Sequence, residues 1–493
     1  MDRRPGDRIF GIETEFGCLV EDPGTRPERV VEDLKNHIFL ELNLGAIDLH
    51  ARDEVFEPMA SGGFMLNGSR LYVDAVGSHL EYATAECRQL DDLVLNDRAG
   101  QRVIVRAIEG LGLSDQVRIY NNSIDHFGGH TFGCHENYFV EMSESFFAED
   151  VNALFAFLVT RQLFAGVGRV GGHVLIEGGE PSTRQLNQNP IDYIWVSQIY
   201  HAYPDDEVNF QLSQRADHIL RTVASRVRFN RALINPKWEH FYAHGGMNRL
   251  HLLFGEANQS TYAYKLKVGT TSLVLQLLED GELIGEPELH QPLIALRDIS
   301  RDEDYKWRVT TEDGVETSAL DIQYRLLEKA QGYAGNSKDI DWILREWSAV
   351  LDALKSDPMS LGDRLDWVAK KQMVESFIAD GGAEWGADVL HSLDLEYHNI
   401  NPSQSLFYAL PDDLPLRQLD EVATIEAMTE PPKDTRACGR GKLVAKAVER
   451  GLGSPYLFDW SSAVLGRNEF YEMPDPFHPY AEVGQGWIVD GSR

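Results

Sequence analysis

The chain has 493 residues and a mass of 55.6 kDa, with 43% apolar and 10% aromatic residues. That profile excludes a disordered chain and fits a globular protein with one large domain and a smaller appendage. The 46 basic and 78 acidic residues leave a net charge of −32, which excludes general nucleic-acid or membrane-surface binding, because phosphates are repelled.

In chain order, the N-terminus MDRRPGDRIFGIETEFG has basic residues but no apolar region, so no signal peptide is expected. No run of about 18 uncharged apolar residues follows, so no membrane-spanning helix is expected. Cys18, Cys87, Cys134 and Cys438 lie far apart without a CxxC pair, which argues against structural zinc and disulfides. A reducing cytoplasm is the simplest setting.

RIFGIETEFG reads as a strand, with Glu13 and Glu15 on one face and Ile12, Thr14 and Phe16 on the other. Two carboxylates roughly 7 Å apart on one face suit Mg²⁺ or Mn²⁺. The plainer reading is two solvated acids. In SRLYVD, Arg70, Tyr72 and Asp74 share a face, and Glu81 follows in LEYATAE. Asp74 at a strand end is a candidate general base, or simply a turn aspartate. FGCHENYFVEM puts His135 and Asn137 on one face, as a candidate ligand and a candidate phosphate-orienting amide. Cys134 faces the opposite way, so a Cys–His dyad is disfavoured. His126, His130 and His135 match no standard zinc spacing.

Leu154 to Val167 reads as a buried helix interrupted by Arg161 and Gln162. Between Ser213 and Arg249 the local net charge is +5, from Arg215, Arg221, Arg226, Arg228, Arg231, Lys237 and Arg249 against Asp217 and Glu239. Such a reversal suits nucleotide phosphates or an acidic partner. MNRLHLLFGEAN places Arg249 and His251 on one strand face. Helices are expected over Thr271–Asp280, closed by Gly281, after Ser337 through Leu354, and over Leu365–Asp380. A strand-rich front and a helical block give an α+β protein. The Pro- and Asp-rich stretch from Pro411 places the domain boundary between 412 and 413, leaving 413–493 as a small C-terminal domain. No Walker A loop or GxGxxG follows a strand, so any ATP site uses another scaffold.

GIETEFG, NGSRLYVD, GSHLEYATAEC, DRAG, GCHENY, SQRADH, NRLHLLFGEAN, LKVGTTSLVL, LDLEYHNI and PPKDTRACGRG occur in this order from residue 11 to beyond 440. This set resembles the Pup ligase and Pup deamidase/depupylase pair of the glutamine synthetase and glutamate–cysteine ligase superfamily. IETEFG, ATAEC and LDLEYHNI resemble the ligase branch. Only about 50 residues separate GIETEFG from NGSRLYVD, which leaves limited room for the longer loop of the depupylase branch. Departures are Lys237 in Ile234-Asn235-Pro236-Lys237, where the family usually has Arg, an insertion over 171–203, and one extra residue between Asp74 and Gly77.

The resemblance implies a large glutamine synthetase-like domain with a curved antiparallel sheet backed by helices over 1–412. It implies an ATP-dependent carboxylate–amine ligase that joins the C-terminal glutamate of Pup, or a Pup-like acidic modifier, to a lysine of a target protein through a γ-glutamyl phosphate. ATP and Mg²⁺ are the implied cofactors. The implied metal ligands are Glu13, Glu15, Tyr72, Glu81, His135 and His251. Arg215, Arg249 and Asn137 would face phosphates, Asp74 would take the lysine proton, and Arg436, Arg440 and Trp460 would border the nucleotide base. Open alternatives are a depupylase or deamidase, a small-molecule ligase of the same superfamily, and a binding protein that keeps ATP without turnover.

Overall fold

The computed structural model describes residues 6–49, 60–74, 79–126, 130–142, 146, 151–177, 200–224, 231–235 and 247–482. Packing divides the chain into two compact units. One comprises Ile9–Asn121, Asn399–Ser403 and Leu419–Arg493, and the other Met1–Arg8, Asn122–His398 and Gln404–Gln418. This partition differs from a division at 412/413. Composition marks a Pro-rich linker, whereas packing follows apolar surface, and the later residues bury theirs on the N-terminal strands.

The first unit is built on β1 (Phe10–Val20), β2 (Gly45–Ile47), β3 (Gly62–Met65), β4 (Arg70–Val73), β5 (Leu80–Ala83) and β6 (Val117–Tyr120). They lie in the order β6–β1–β5–β4–β3–β2, every pair antiparallel. The expected alternation of β1 holds, with Ile12, Thr14 and Phe16 buried and Glu13 and Glu15 half-buried. Phe16, Leu71 and Tyr82 join Val30, Leu34, Val103 and Ile104, from the helices Pro27–Asn36 and Leu90–Gly110, in one core. Gly62 lies opposite Tyr72, where an added Cβ would come within 2.3 Å of the Tyr72 Cβ. Only glycine leaves room for the tyrosine there.

Leu443, Val444 and Ala447 of the helix Ala437–Arg450 pack on Ala46 and Phe64 of β2 and β3. This docking buries Glu86 between Arg436, at 2.6 Å, and Arg440. Burial raises the cost of the Glu86 charge, but Arg440 and Arg436 outweigh it and pull the carboxyl down to about 2. Glu86→Ala would leave two buried guanidiniums uncompensated. A stability loss of about 3–5 kcal/mol is expected in a denaturant titration, and an unchanged midpoint would contradict it.

The second unit holds β7 (Cys134–Glu141), β8 (Arg169–Glu177), β9 (Tyr200–Gln211), β10 (Arg221–Val223), β11 (Ala232–Asn235) and β12 (Met247–Leu252). β12 pairs antiparallel with both β7 and β11, while β10 and β11 run parallel. β8 and β9 form a separate antiparallel ribbon, so the ends of the 171–203 insertion extend a hairpin. Residues 178–199 of that insertion lie outside the described residues.

The expected helices are present with shifted ends. Thr261–Glu279 begins ten residues before the expected Thr271, with Ser260 Oγ accepting from the Ala263 N–H at 3.0 Å. Its first half is buried almost all round, so no amphipathic period marks it. Ser337 caps Lys338–Ser356 by accepting from Ile340 N–H at 3.1 Å. Asp366–Ala379 is followed by Gly381 at φ 78°. The apolar Leu154–Val167 stretch forms two buried helices, Val151–Thr160 and Gln162–Ala165. Arg161 between them is itself buried and forms a two-pronged pair with Glu136 at 2.5 and 2.8 Å.

His126, one of the three clustered histidines, faces Asp394 at 3.4 Å. A hydrogen-bonded series runs from Arg231 Nη1 to His218 Nδ1 (2.9 Å), from His218 Nε2 to His173 Nδ1 (3.0 Å), and from His173 Nε2 to the His126 carbonyl (3.0 Å). Each neutral ring donates once and accepts once. Burial, reinforced by Arg169, lowers His173 to about 2, and burial lowers His126 to about 3 despite Asp394. Unfolded histidines titrate near 6.5. The unfolded chain therefore binds more protons below that pH. Stability is complete above about 6.5 and declines as pH falls toward 3, by up to about 1.4 kcal/mol per pH unit for each histidine. Urea midpoints at pH 7.5 and 5 should differ in that direction, and a higher midpoint at pH 5 would refute it.

Candidate functional site

In the first unit the antiparallel register places Glu15 opposite Glu81, and Glu81 opposite Tyr72. The row Glu15–Glu81–Tyr72 crosses β1, β5 and β4 on one face, because cross-strand partners share a face. Asp74 follows two residues after Tyr72, and oxygen atoms of Glu15, Asp74 and Glu81 all lie within 4.8 Å of one another. Glu81 is buried and the other two are half-buried. Burial, then the charges of Glu15, Glu13 and Asp74, push the Glu81 carboxyl well above its ordinary range. Burial and the charges of Glu81 and Glu13 likewise push up the Tyr72 phenol. Carboxylates so close repel one another unless a cation shares them. An all-oxygen set of this kind fits Mg²⁺.

Arg70, which the residue alternation placed on this face without a role, is buried beside the cluster. Its guanidinium lies 4.2 Å from the Tyr72 ring centroid and 3.2 Å from an Asp48 oxygen. The signal available in the sequence was an arginine two residues before Tyr72, on the same strand face. His79 Nδ1 also approaches Glu15, at 3.9 Å. Residues 75–78, which include the extra residue after Asp74, lie outside the described residues.

Trp460 is half-buried on the same unit, edge-on to Phe64 with ring centroids 5.1 Å apart, and the Arg440 guanidinium lies 4.8 Å from its ring centroid. Arg436 and Arg440 are engaged by Glu86. Trp460 thus presents an aromatic surface beside a charge already neutralised by its partner.

In the second unit the register sets Asn137 opposite His251 and Phe139 opposite Arg249. Arg249 Nη1 donates to Asn137 Oδ1 at 3.1 Å, and the His135 and His251 rings are 5.1 Å apart, edge to face. All four expected residues of these strands are therefore neighbours. Cys134 is fully buried on the opposite side, as the alternation required. Arg215 is buried and donates from Nη1 to the Leu253 carbonyl at 2.5 Å, two residues beyond His251.

The +5 stretch is not one exposed face among the described residues. Arg215 and Asp217 are buried, Arg231 donates to His218, and Arg221 is exposed. Arg226, Arg228, Lys237 and Glu239 lie outside the described residues.

Residues 8–464 match the family model described as Pup-ligase protein. The Pup–protein ligase of Pseudarthrobacter chlorophenolicus is 32% identical over 490 residues, covering 96% of this chain and 97% of that protein. The Pup–protein ligase of Micrococcus luteus is 34% identical over 487 residues, covering 95% of each. A depupylase of Acidothermus cellulolyticus is 36% identical over 425 residues, covering 83% of this chain and 77% of that protein. Among solved structures, the ligase PafA in complex with the prokaryotic ubiquitin-like protein Pup matches with a TM-score of 0.76 and 30% identity, over 97% of this chain and 89% of that one. PafA in complex with ADP matches with a TM-score of 0.70 and 30% identity, over 94% of this chain and 93% of that one. With carboxylates, histidines and arginines at the strand positions that the motifs marked, and a match over nearly the whole length, the chain belongs to the Pup ligase family.

Proposed function

We propose that this protein is an ATP-dependent ligase that joins the C-terminal glutamate of a Pup-type modifier to a lysine of a target protein. The observation that carries this reading is the Glu15–Asp74–Glu81 cluster, set in a chain that matches Pup–protein ligases over nearly its full length. Glu13, Glu15, Tyr72 and Glu81 offer oxygen ligands, and His135 and His251 offer nitrogen ligands. The chemistry that bound Mg²⁺ supplies is neutralisation of phosphate charge. Arg215 and Arg249 would compensate the transferring phosphoryl group, with Asn137 fixing the orientation of Arg249. Trp460 would stack on the nucleotide base.

The modifier's γ-carboxylate attacks the γ-phosphate of ATP, giving an acyl phosphate and ADP. The target's ε-amine then attacks the acyl carbon, releasing phosphate and forming the isopeptide bond. The amine reacts only when neutral, and Asp74 would accept the proton. The free cysteines and the absence, among the described residues, of a helix able to cross a membrane support a cytoplasmic setting.

The identity to a depupylase favours a second reading, hydrolysis of the isopeptide bond. Purified protein with ATP, magnesium, a modifier ending in glutamate and a lysine-bearing protein should release ADP and form the conjugate. Cleavage of a preformed conjugate without any ligation would overturn the ligase reading.

An acidic modifier approaching a chain of −32 needs local positive charge such as Arg221. Its affinity should therefore fall on raising salt to about 0.5 M, since exposed charges are screened over about 10 Å already at 0.1 M. Binding that ignores salt would assign the contact to apolar surface instead.

A further inference from the structure

We infer that Glu256, acting with Ser213, is a positioning residue that fixes Arg215 for phosphoryl transfer. The inference rests on the reading of Arg215 as a phosphoryl-neutralising cation.

Glu256 is buried and belongs to FGEAN, just beyond β12. Its Oε1 accepts the Ser213 hydroxyl and the Arg215 N–H, the latter at 3.1 Å. Its Oε2 accepts the Val167 N–H at 2.9 Å. Ser213 Oγ in turn accepts the N–H groups of Arg215 at 3.1 Å and Ala216 at 3.0 Å. The main chain of Arg215 is therefore held by one carboxylate and one hydroxyl. Its other end is held too, by the Leu253 carbonyl.

Two of these three anchors, Glu256 and the Leu253 carbonyl, come from one short stretch, Leu253–Glu256. That stretch is seated tightly. A Cβ on Gly255 would lie 2.4 Å from the Cys134 carbonyl oxygen and 2.7 Å from Glu136 Oε1. Lys267 Nζ donates to the Glu256 carbonyl at 2.6 Å. The stretch begins where the His251 strand ends at Leu252, so Arg215 is tied to the strand that carries a candidate metal ligand. A long, flexible arginine pinned at both ends has given up its freedom before substrate arrives. Preorganisation of this kind makes a charge effective in a transition state.

The test is a double-mutant cycle on ATP-dependent ligation, using Glu256→Gln, Arg215→Ala and the pair. Glutamine replaces one acceptor oxygen with a donor, which faces an N–H. Glu256→Gln alone should lower kcat by up to about 10²-fold, since small misplacements at an active site cost that much. In the Arg215→Ala background the same change should cost no more than about twofold. Ser213→Ala should behave like Glu256→Gln, and Ser213→Thr, which keeps the hydroxyl, should restore activity. Fully additive losses, or a loss explained by the unfolded fraction alone, would overturn the positioning role. If Arg215→Ala by itself keeps full turnover, the reading of Arg215 fails, and the role of Glu256 fails with it. Should Glu256→Gln not fold, the Ser213 pair of variants decides the question.

Discussion

Glu81→Gln is expected to abolish the response to magnesium and to reduce ligation by at least about 10²-fold, the scale on which removing one preorganised electrostatic group acts. Glu81 is the middle member of the Glu15–Glu81–Tyr72 row and the most buried of the clustered acids. Glutamine keeps its shape and removes its charge. In metal-free protein, burial and then the repulsion from Glu15, Glu13 and Asp74 penalise the Glu81 charge, and a neutral glutamine is free of both costs. Metal-free Glu81→Gln should therefore melt at or above the wild-type temperature. Wild-type protein should gain thermal stability on adding magnesium, by mass action on the folded state, and the variant should not. The two readouts move in opposite directions, which a general packing defect cannot reproduce. A variant that melts lower without metal, or that still gains stability from magnesium, would remove Glu81 from the ligand set.

Asp74→Asn separates activation from transfer. The target's ammonium has an ordinary pKa of about 10.4, so transfer needs a group to take its proton. A positioned general base typically contributes about 10²–10⁴-fold, and isopeptide formation in Asp74→Asn should slow by about that factor. ATP affinity should change far less if Asp74 acts as the base alone. The structure makes the alternative concrete, because the Asp74 carboxylate lies with those of Glu15 and Glu81 within one 4.8 Å group. Nucleotide affinity and transfer rate, measured on the same variant, decide between the two. Loss of both together makes Asp74 a ligand. Loss of transfer alone makes it the base, and loss of neither excludes it from the chemistry.

What the sequence determined by itself was local. The two-residue period of β1 separates Glu13 and Glu15 from Ile12, Thr14 and Phe16, because backbone pleating fixes side-chain direction without help from neighbours. The Ser337 cap and the glycine after Asp366–Ala379 were legible for the same reason: a helix end is satisfied by residues a few positions away. The strand faces of Tyr72, Asp74, His135, Asn137, Arg249 and His251 followed from that rule, while their roles came from ordered motifs. Tertiary structure decided which faces meet. Glu15, Glu81 and Tyr72 form a row only because β5 lies between β1 and β4 in this register, and a slip of one residue would turn Glu81 to the opposite face. The start of the Thr261–Glu279 helix was hidden because burial on all sides erases the amphipathic period. Arg161 with Glu136, and Glu86 with Arg440, join residues distant in sequence. A buried charge needs a partner, but nothing local in the chain says which one, and only the packed fold supplies it.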